Sequence, residues 1–399
     1  MTARPSAKLI VPALGITQIL AWGSSYYLPA VLAQPIAADT GWPLIWVVSG
    51  LSLGLLVAGL AAPLVGRLIH RHGGRPVLAT SAVLLAVGLL GIAFAPNLVV
   101  FLVAWMVVGL GMSTGLYDAA FSTLGRIYGQ AARQHMTTLT LFGGFASTAC
   151  WPLSAYFVSE LGWRGACTAY AAIHVGLTLW VYVLALPKQP LALEELKSAV
   201  AKSPDEPSRY RSVFVVMATT ITLSAVISTV ISVHLLTVLQ TRDITLAAAV
   251  ALGALVGPSQ VGARFIEMLI ARYHHAIWTK VASALFIALG LCLLWSHVPV
   301  VTLALVLYGA GIGLESIARA TVPLSIFGAR NYASIMGKLA RPSLIAQAAA
   351  PSIGVLLIQA FSVDTALAVV AVAAVINVCL AVTLLTMAIG AGSVPAGKR

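Results

Sequence analysis

The stretch LIWVVSGLSLGLLVAGLAAPLVG, Leu44–Gly66, runs for 23 residues without a charged side chain and gives way at once to RLIHRHGGR, Arg67–Arg75. A bilayer core about 30 Å thick asks for roughly 20 apolar residues in a helix, so the first segment reads as a membrane span and the second as the basic loop that ends it. Within the span Gly50, Gly54, Ala58, Ala62 and Gly66 recur at every fourth position. That spacing gathers small side chains on one helix face, where another backbone can approach closely. Gly50-Leu51-Ser52-Leu53-Gly54 also matches the pattern of a hydrolase nucleophile elbow, but the elbow needs a strand-to-helix turn, and inside a helix the match is a coincidence.

The whole chain has the character of this segment. Of its 399 residues 60% are hydrophobic and 9% charged, and the mean hydropathy is +0.98. Soluble chains carry about one quarter charged residues, so the 34 Lys, Arg, Asp and Glu here cannot build a water-facing surface of ordinary composition. Net charge +12 would suit a nucleic-acid partner, but the basic residues lie in short segments between apolar runs, as membrane topology requires. No nucleic-acid partner is expected. The partner is the lipid bilayer.

Apolar runs bounded by charge, Pro, Gly or Asn give twelve expected spans, near 9–33, 44–66, 77–95, 98–124, 136–159, 165–186, 212–239, 246–271, 277–296, 298–320, 335–360 and 365–389. The first follows Arg4 and Lys8 and contains Val31-Leu32-Ala33, a fair signal-peptidase site, but it is longer than a signal core of 7 to 15 residues and is read as a retained span. An even number puts both termini on one side. That side holds nineteen Lys and Arg, among them Arg4, Lys8, Arg67, Arg71, Arg75, Lys280, Arg330 and Lys338, whereas the other holds Arg164 and Arg242. Basic residues are retained in the cytoplasm, so both termini are expected there, in a multi-pass protein of a bacterial-type inner membrane that acts as a monomer.

The hydrophilic stretch 187–211, bounded by Pro187, Pro190, Pro204 and Pro207, reads as a cytoplasmic linker with a short surface helix over 191–202. It splits the spans six and six, into bundles over 1–186 and 212–399. The halves also match weakly at an offset near 199, Gly109 and Gly111 with Gly309 and Gly311, Gly129 with Gly328 and Pro152 with Pro351. Cys150, Cys167, Cys292 and Cys379 all lie in apolar runs without a CxxC pair, so neither disulfide nor zinc spacing is present. No metal and no cofactor is expected.

Parallel six-span repeats joined by a central linker are an architecture of major facilitators, and the loop Gly66-Arg67-Leu68-Ile69-His70-Arg71-His72-Gly73-Gly74-Arg75 resembles their loop signature of glycine, an aspartate-arginine pair, glycine and basic residues. His70 stands where the aspartate is usual and Gly74 where a basic residue is usual. The resemblance implies an all-α membrane protein of twelve spans in two six-helix bundles related by pseudo-twofold symmetry, with a substrate site between the halves and a cytoplasmic gate formed by charge contacts. Gly66, Arg67, Arg71 and Arg75 would serve that gate in the first half and Arg264 with Glu267 in the second. Topology alone also accounts for the three arginines. Gly41-Trp42, Gly162-Trp163-Arg164 and His234-Leu235 resemble the monocarboxylate and oxalate/formate branch, although the branch's arginine in the eighth span is replaced by Pro258-Ser259-Gln260. Trp105 stands in place of the arginine of proton-coupled members, and Pro152 follows Trp151 rather than the glycine of drug antiporters.

Charges inside spans are costly, normally face a cavity or a partner, and so mark function. Asp118 lies in the fourth span, and Glu315 and Arg319 lie one turn apart in the tenth, where they can pair within the helix. In the family the first, fourth, seventh and tenth spans line the cavity, which implies cavity positions for Gln18, Trp22, Tyr26, Tyr117, Asp118, Ser224, Ser228, His234, Glu315 and Arg319. Packing roles compete at each, above all for His234 and for His174. Asp118 and Glu315 are the candidates for proton coupling. Asp118 has only Thr114 and Ser122 one turn away, whereas Glu315 has a cation.

The function expected is secondary active transport of a small organic solute by alternating access, with a proton as the candidate co-substrate. A facilitated or exchange carrier of organic anions and a non-transporting sensor of the same fold are the alternatives. An ATP-driven pump is excluded by the lack of a Gly-x4-Gly-Lys-Ser/Thr loop. A membrane enzyme would need a constellation such as HExxH, which the sequence does not contain.

Overall fold

The computed structural model of the chain describes residues 7–187, 207–242 and 244–389, and its regular elements are all helical. Most of the expected linker, with its helix over 191–202, lies outside the described residues. The chain divides into two compact units, Met1–Ala201 with Phe327–Ala348, and Lys202–Ile326 with Ala349–Arg399. Eight helical stretches among the described residues are long and apolar enough to cross a bilayer, one of them the interrupted run Leu98–Ala185, and Ala7–Gly23 is a shorter apolar helix.

The first unit contains α1 (Ala7–Gly23), α2 (Pro29–Thr40), α3 (Leu44–His72), α4 (Gly74–Ala93), α5 (Leu98–Gly115), α6 (Tyr117–Tyr128), α7 (Ala132–Gly144), α8 (Ala146–Ile173), a π segment (His174–Thr178) and α9 (Leu179–Ala185). The second contains α10 (Pro207–Gln240), α11 (Leu246–Gly253), α12 (Val256–Ile270), α13 (Ala276–Trp295), α14 (Val301–Phe327) and α16 (Val363–Ile389). The helix between the last two, α15 (Tyr332–Ala360), gives its opening part to the first unit.

Lipid tails are as apolar as leucine, so helices in a bilayer associate through close packing and buried polar contacts. The stripe on α3 serves this purpose. Gly50 and Gly54 face Trp105 and Gly109 of α5, and Gly66 faces Ala333 and Gly337 of α15. Leu56, Leu60 and Leu64, on another face of α3, are exposed, as a lipid-facing row should be. Leu85, Leu89, Phe101, Val108 and Tyr170 centre the core of the first unit, and Ile227, Ile287, Leu291, Leu367 and Ala374 that of the second.

Four expected spans are broken, among them the fifth, at Phe145 between α7 and α8. The first stops at Gly23 and resumes at Pro29. Ser24 and Ser25 turn their hydroxyls back onto the carbonyls of Leu20 and Ala21, at 2.8 and 2.5 Å, and Pro29, which lacks an amide hydrogen, sits at the first position of α2, where none is needed. The fourth breaks at Leu116, whose backbone is extended, and the eighth between Gly253 and Val256. Gly41 (φ 70°) and Gly162 (φ 69°) each precede a tryptophan and hold left-handed backbone that other residues adopt at a cost.

Candidate functional site

In the first unit the breaks in the first and fourth spans bring aromatic side chains together. Trp22 of α1 packs its ring 5.3 Å from Tyr26 in the turn and 5.2 Å from Tyr117 at the start of α6. Tyr117 stacks on Phe121 at 5.0 Å and 9°, and Tyr27 meets Trp151 of α8 edge-on at 6.2 Å. Trp22, Tyr26, Tyr117 and Asp118 are half-buried. Gln18 is fully buried, and its amide donates to the Gly115 carbonyl at 2.6 Å, at the very peptide where the helix break removes the carbonyl's next helical donor. Asp118 falls in the first turn of α6, where open amide hydrogens gather at a helix start. Neither expected neighbour is turned to its carboxyl: Ser122 donates to the Asp118 backbone carbonyl at 2.6 Å, and Thr114 to the carbonyls of Leu110 and Gly111.

The charged residues of the second unit are arranged otherwise than the sequence suggests. Glu315 is paired not simply within its own helix but across to Lys280 of α13, whose Nζ lies 2.7 Å from both carboxylate oxygens. Lys280 also donates to Ser224 at 2.9 Å. Ser283 donates to Glu315 at 2.8 Å, Asn377 of α16 donates to Ser224 at 2.8 Å, and Thr220 donates to Asn377. Lys280, counted above among the cytoplasmic basic residues, is only 2% exposed within the helix bundle. The expected span 277–296 contains Lys280, and its start agrees with the helix. A lysine this near a span end reads as part of the basic loop beside it, whereas here it turns inward onto Glu315 and Ser224. Asn377 gave a usable signal, as the one strongly polar side chain in the middle of an apolar run. Thr220 and Ser283 gave none.

Arg319 is half-buried one turn beyond Glu315, and Ser228 is likewise half-buried. His234 is buried and donates to the Pro351 carbonyl at 3.4 Å, with its ring packed at Gly354. His174 is fully buried and shares a hydrogen bond of 2.7 Å with Ser24.

Of the residues implied for the gate, Arg67 and Arg71 are exposed at the end of α3 and Arg75 is half-buried at the start of α4. Arg126 of α6, which the sequence did not single out, donates to the His70 carbonyl. In the second unit Arg264 and Glu267 are buried. Arg264 bonds the Gly313 carbonyl at 3.4 Å and Gln260 at 3.3 Å. Glu267 accepts from Thr279 at 2.7 Å and faces His274 at 3.3 Å. At the opposite, charge-poor end, Asp39 of α2 takes the Trp163 indole at 3.0 Å and the Arg164 guanidinium on one carboxylate oxygen.

Described residues whose regular elements are all helical, with several apolar spans and charges buried between them, make a polytopic membrane protein. The family model of the Major Facilitator Superfamily matches residues 14–340, and the chain belongs to that superfamily. It is 33% identical to monocarboxylate transporter 11 of Mus musculus over 165 residues, 39% of this chain and 34% of that one, so it spans about a third of that relative's length. Its fold is similar to the proton:xylose symporter XylE bound to 6-bromo-6-deoxy-D-glucose (TM-score 0.73, 12% identity, 94% of this chain and 95% of that one). It is also similar to the human organic anion transporter MFSD10 (TM-score 0.72, 16% identity, 94% and 100%) and to the E. coli fucose:proton symporter FucP (0.67, 15%, 95% and 99%). These likenesses establish the twelve-span major facilitator fold.

Proposed function

We propose that the protein is a secondary transporter that carries a small organic solute across a bacterial-type inner membrane by alternating access, with both termini in the cytoplasm and no chemical change in the solute. The observation that carries this reading is the half-exposed group of Trp22, Tyr26 and Tyr117 beside Asp118, assembled where the first and fourth spans are broken. Discontinuous spans are where carriers build their sites, and aromatic faces with a few polar groups suit a small amphiphilic molecule. Transport of organic anions is favoured within this reading by two relatives, one named for monocarboxylates and one for organic anions, and by the buried cation Lys280. Asp118 and Glu315 are the proposed proton carriers.

A thermal-shift screen of metabolites on the purified protein finds the solute, because a ligand of the folded state raises apparent stability. Trp22→Ala and Tyr117→Ala should abolish that shift while leaving the unliganded protein folded. An undiminished shift in both variants moves the site elsewhere. In proteoliposomes Asp118→Asn should lose gradient-driven accumulation and keep exchange if Asp118 carries the proton, and pH-driven accumulation that survives removes it from that role.

A further inference from the structure

Where α3 turns into α4, a narrow cleft is lined by His72, Gly73, Gly74, Arg75, Thr123 and Arg126 and bordered by Leu186 and Pro187. Its wall holds two guanidinium groups and no carboxylate. Arg126 is 9% exposed. Its Nη1 donates to the His70 carbonyl, and its Nε is buried without a partner. Arg71 and Arg330 stand close enough to act electrostatically on His70, as Arg126 does, so the surroundings add positive charge rather than balance it. The described acidic residues of this unit are Asp39, Asp118 and Glu160. Asp39 is held by Trp163 and Arg164 at the other end of the unit, and Glu160 stands beside them in α8. Asp118 precedes Arg126 by eight residues of α6, about 12 Å along the helix axis.

A second set of donors faces the same space. α4 opens at Gly74 with no side chain capping it, which leaves the amides of Gly74 and Arg75 without a helical acceptor. Its 20 residues also turn the positive end of the helix dipole toward the cleft. A buried cation without a counter-ion is costly, and an anion entering the cleft would remove that cost. Donors come from α4 on one side and α6 on the other, which suits a tetrahedral anion, whose oxygens point in different directions, better than a planar carboxylate. We propose that this cleft binds a phosphate group, held by the guanidinium groups of Arg126 and Arg75 and the amides at the start of α4. The same donors take either the headgroup phosphate of an anionic lipid or a free phosphate from solution. α6 carries Tyr117 of the aromatic group at its first residue and Arg126 near its last, so the phosphate site is separate from the solute site and holds whether or not the chain moves a solute.

The test uses the purified full-length chain in two settings. In detergent, freed of lipid, it is titrated with sodium phosphate, with sodium acetate and sodium chloride at equal ionic strength as controls. In nanodiscs, phosphatidylcholine alone is compared with phosphatidylcholine mixed with phosphatidylglycerol. A rise in unfolding temperature with phosphate beyond both control salts assigns a free phosphate to the cleft, and a rise only with phosphatidylglycerol assigns a lipid headgroup. Arg126→Gln and Arg75→Gln should each weaken the apparent affinity about tenfold or more. Arg272→Gln, which removes an exposed arginine of the second unit, should leave it unchanged. Arg75 is only half-buried, so Arg75→Gln carries the comparison if Arg126→Gln does not fold. Stabilisation by neither phosphate nor phosphatidylglycerol, equal stabilisation by acetate, an undiminished effect in the cleft variants, or an equal loss in Arg272→Gln would each overturn the proposal.

Discussion

A cation in the interior of a membrane helix is stable only while an anion faces it, so Lys280 and Glu315 should behave as one unit. Lys280→Met alone, which leaves the Glu315 carboxylate without its ammonium, is expected to cost about 3–5 kcal/mol. Adding Glu315→Leu should recover most of that loss in thermal unfolding of the purified protein, and a double variant as unstable as the single one would contradict the pairing. On the opposite side, the Arg164 guanidinium first and the Trp163 indole second hold the Asp39 carboxyl below the usual carboxylate range. A carboxyl lowered in the folded state contributes fully above its unfolded pKa of about 4 and is lost as pH falls through the lower folded value. Trp163 emission should therefore stay level from about pH 8 to 5 and change only below about pH 4, a change absent from Asp39→Asn. A transition near neutrality would refute the clamp. The sequence marked Glu315 but not its contact with Lys280, because spacing along one helix is visible in a sequence and approach between helices is not.

At the scale of elements, the spans were legible from hydropathy and their breaks were not. The run 98–124 reads as one helix because Leu116 is as apolar as its neighbours, and the break there depends on tertiary contacts, Gln18 with Gly115 among them. Gly23, Ser24, Ser25 and Pro29 are residues that favour a break, and they stand at the first one within an otherwise apolar run. The small-residue stripe was read correctly as a packing face. A Cβ at Gly109 would lie 2.8 Å from the Gly54 Cα, so Gly109→Val should destabilise the protein by roughly 1–3 kcal/mol, while Gly176→Ala, with nothing within 4 Å of the added carbon, should be neutral. Equal effects in thermal unfolding would show that this approach of α3 and α5 does not matter. Arg71 and Glu267, near the helix ends that the proposed topology puts in the cytoplasm, are proposed to favour the outward-open state. Neutralising either should raise labelling of cysteines introduced on the cytoplasmic face, and unchanged labelling in both variants would remove them from the gate.

For the whole molecule, the duplication read from matched glycines has a physical basis in each unit. Gly88 of α4 lies against Val108 of α5 and Gly111 against Leu85, while Gly290 of α13 lies against Tyr308 of α14 and Gly311 against Ile287. The same close helix pair is built twice, and at these positions a larger side chain would force the helices apart. Hence the family was legible from sequence, whereas the solute was not, since its identity depends on side chains brought together from several helices. That this fold moves a solute is tested by solute counterflow. Proteoliposomes containing the wild-type chain are loaded with a ligand found by thermal shift and diluted into trace labelled ligand, with no nucleotide present. A carrier gives transient accumulation of label above equilibrium, lost in Trp22→Ala. Stabilisation by the ligand without any such overshoot would mark a sensor and contradict transport.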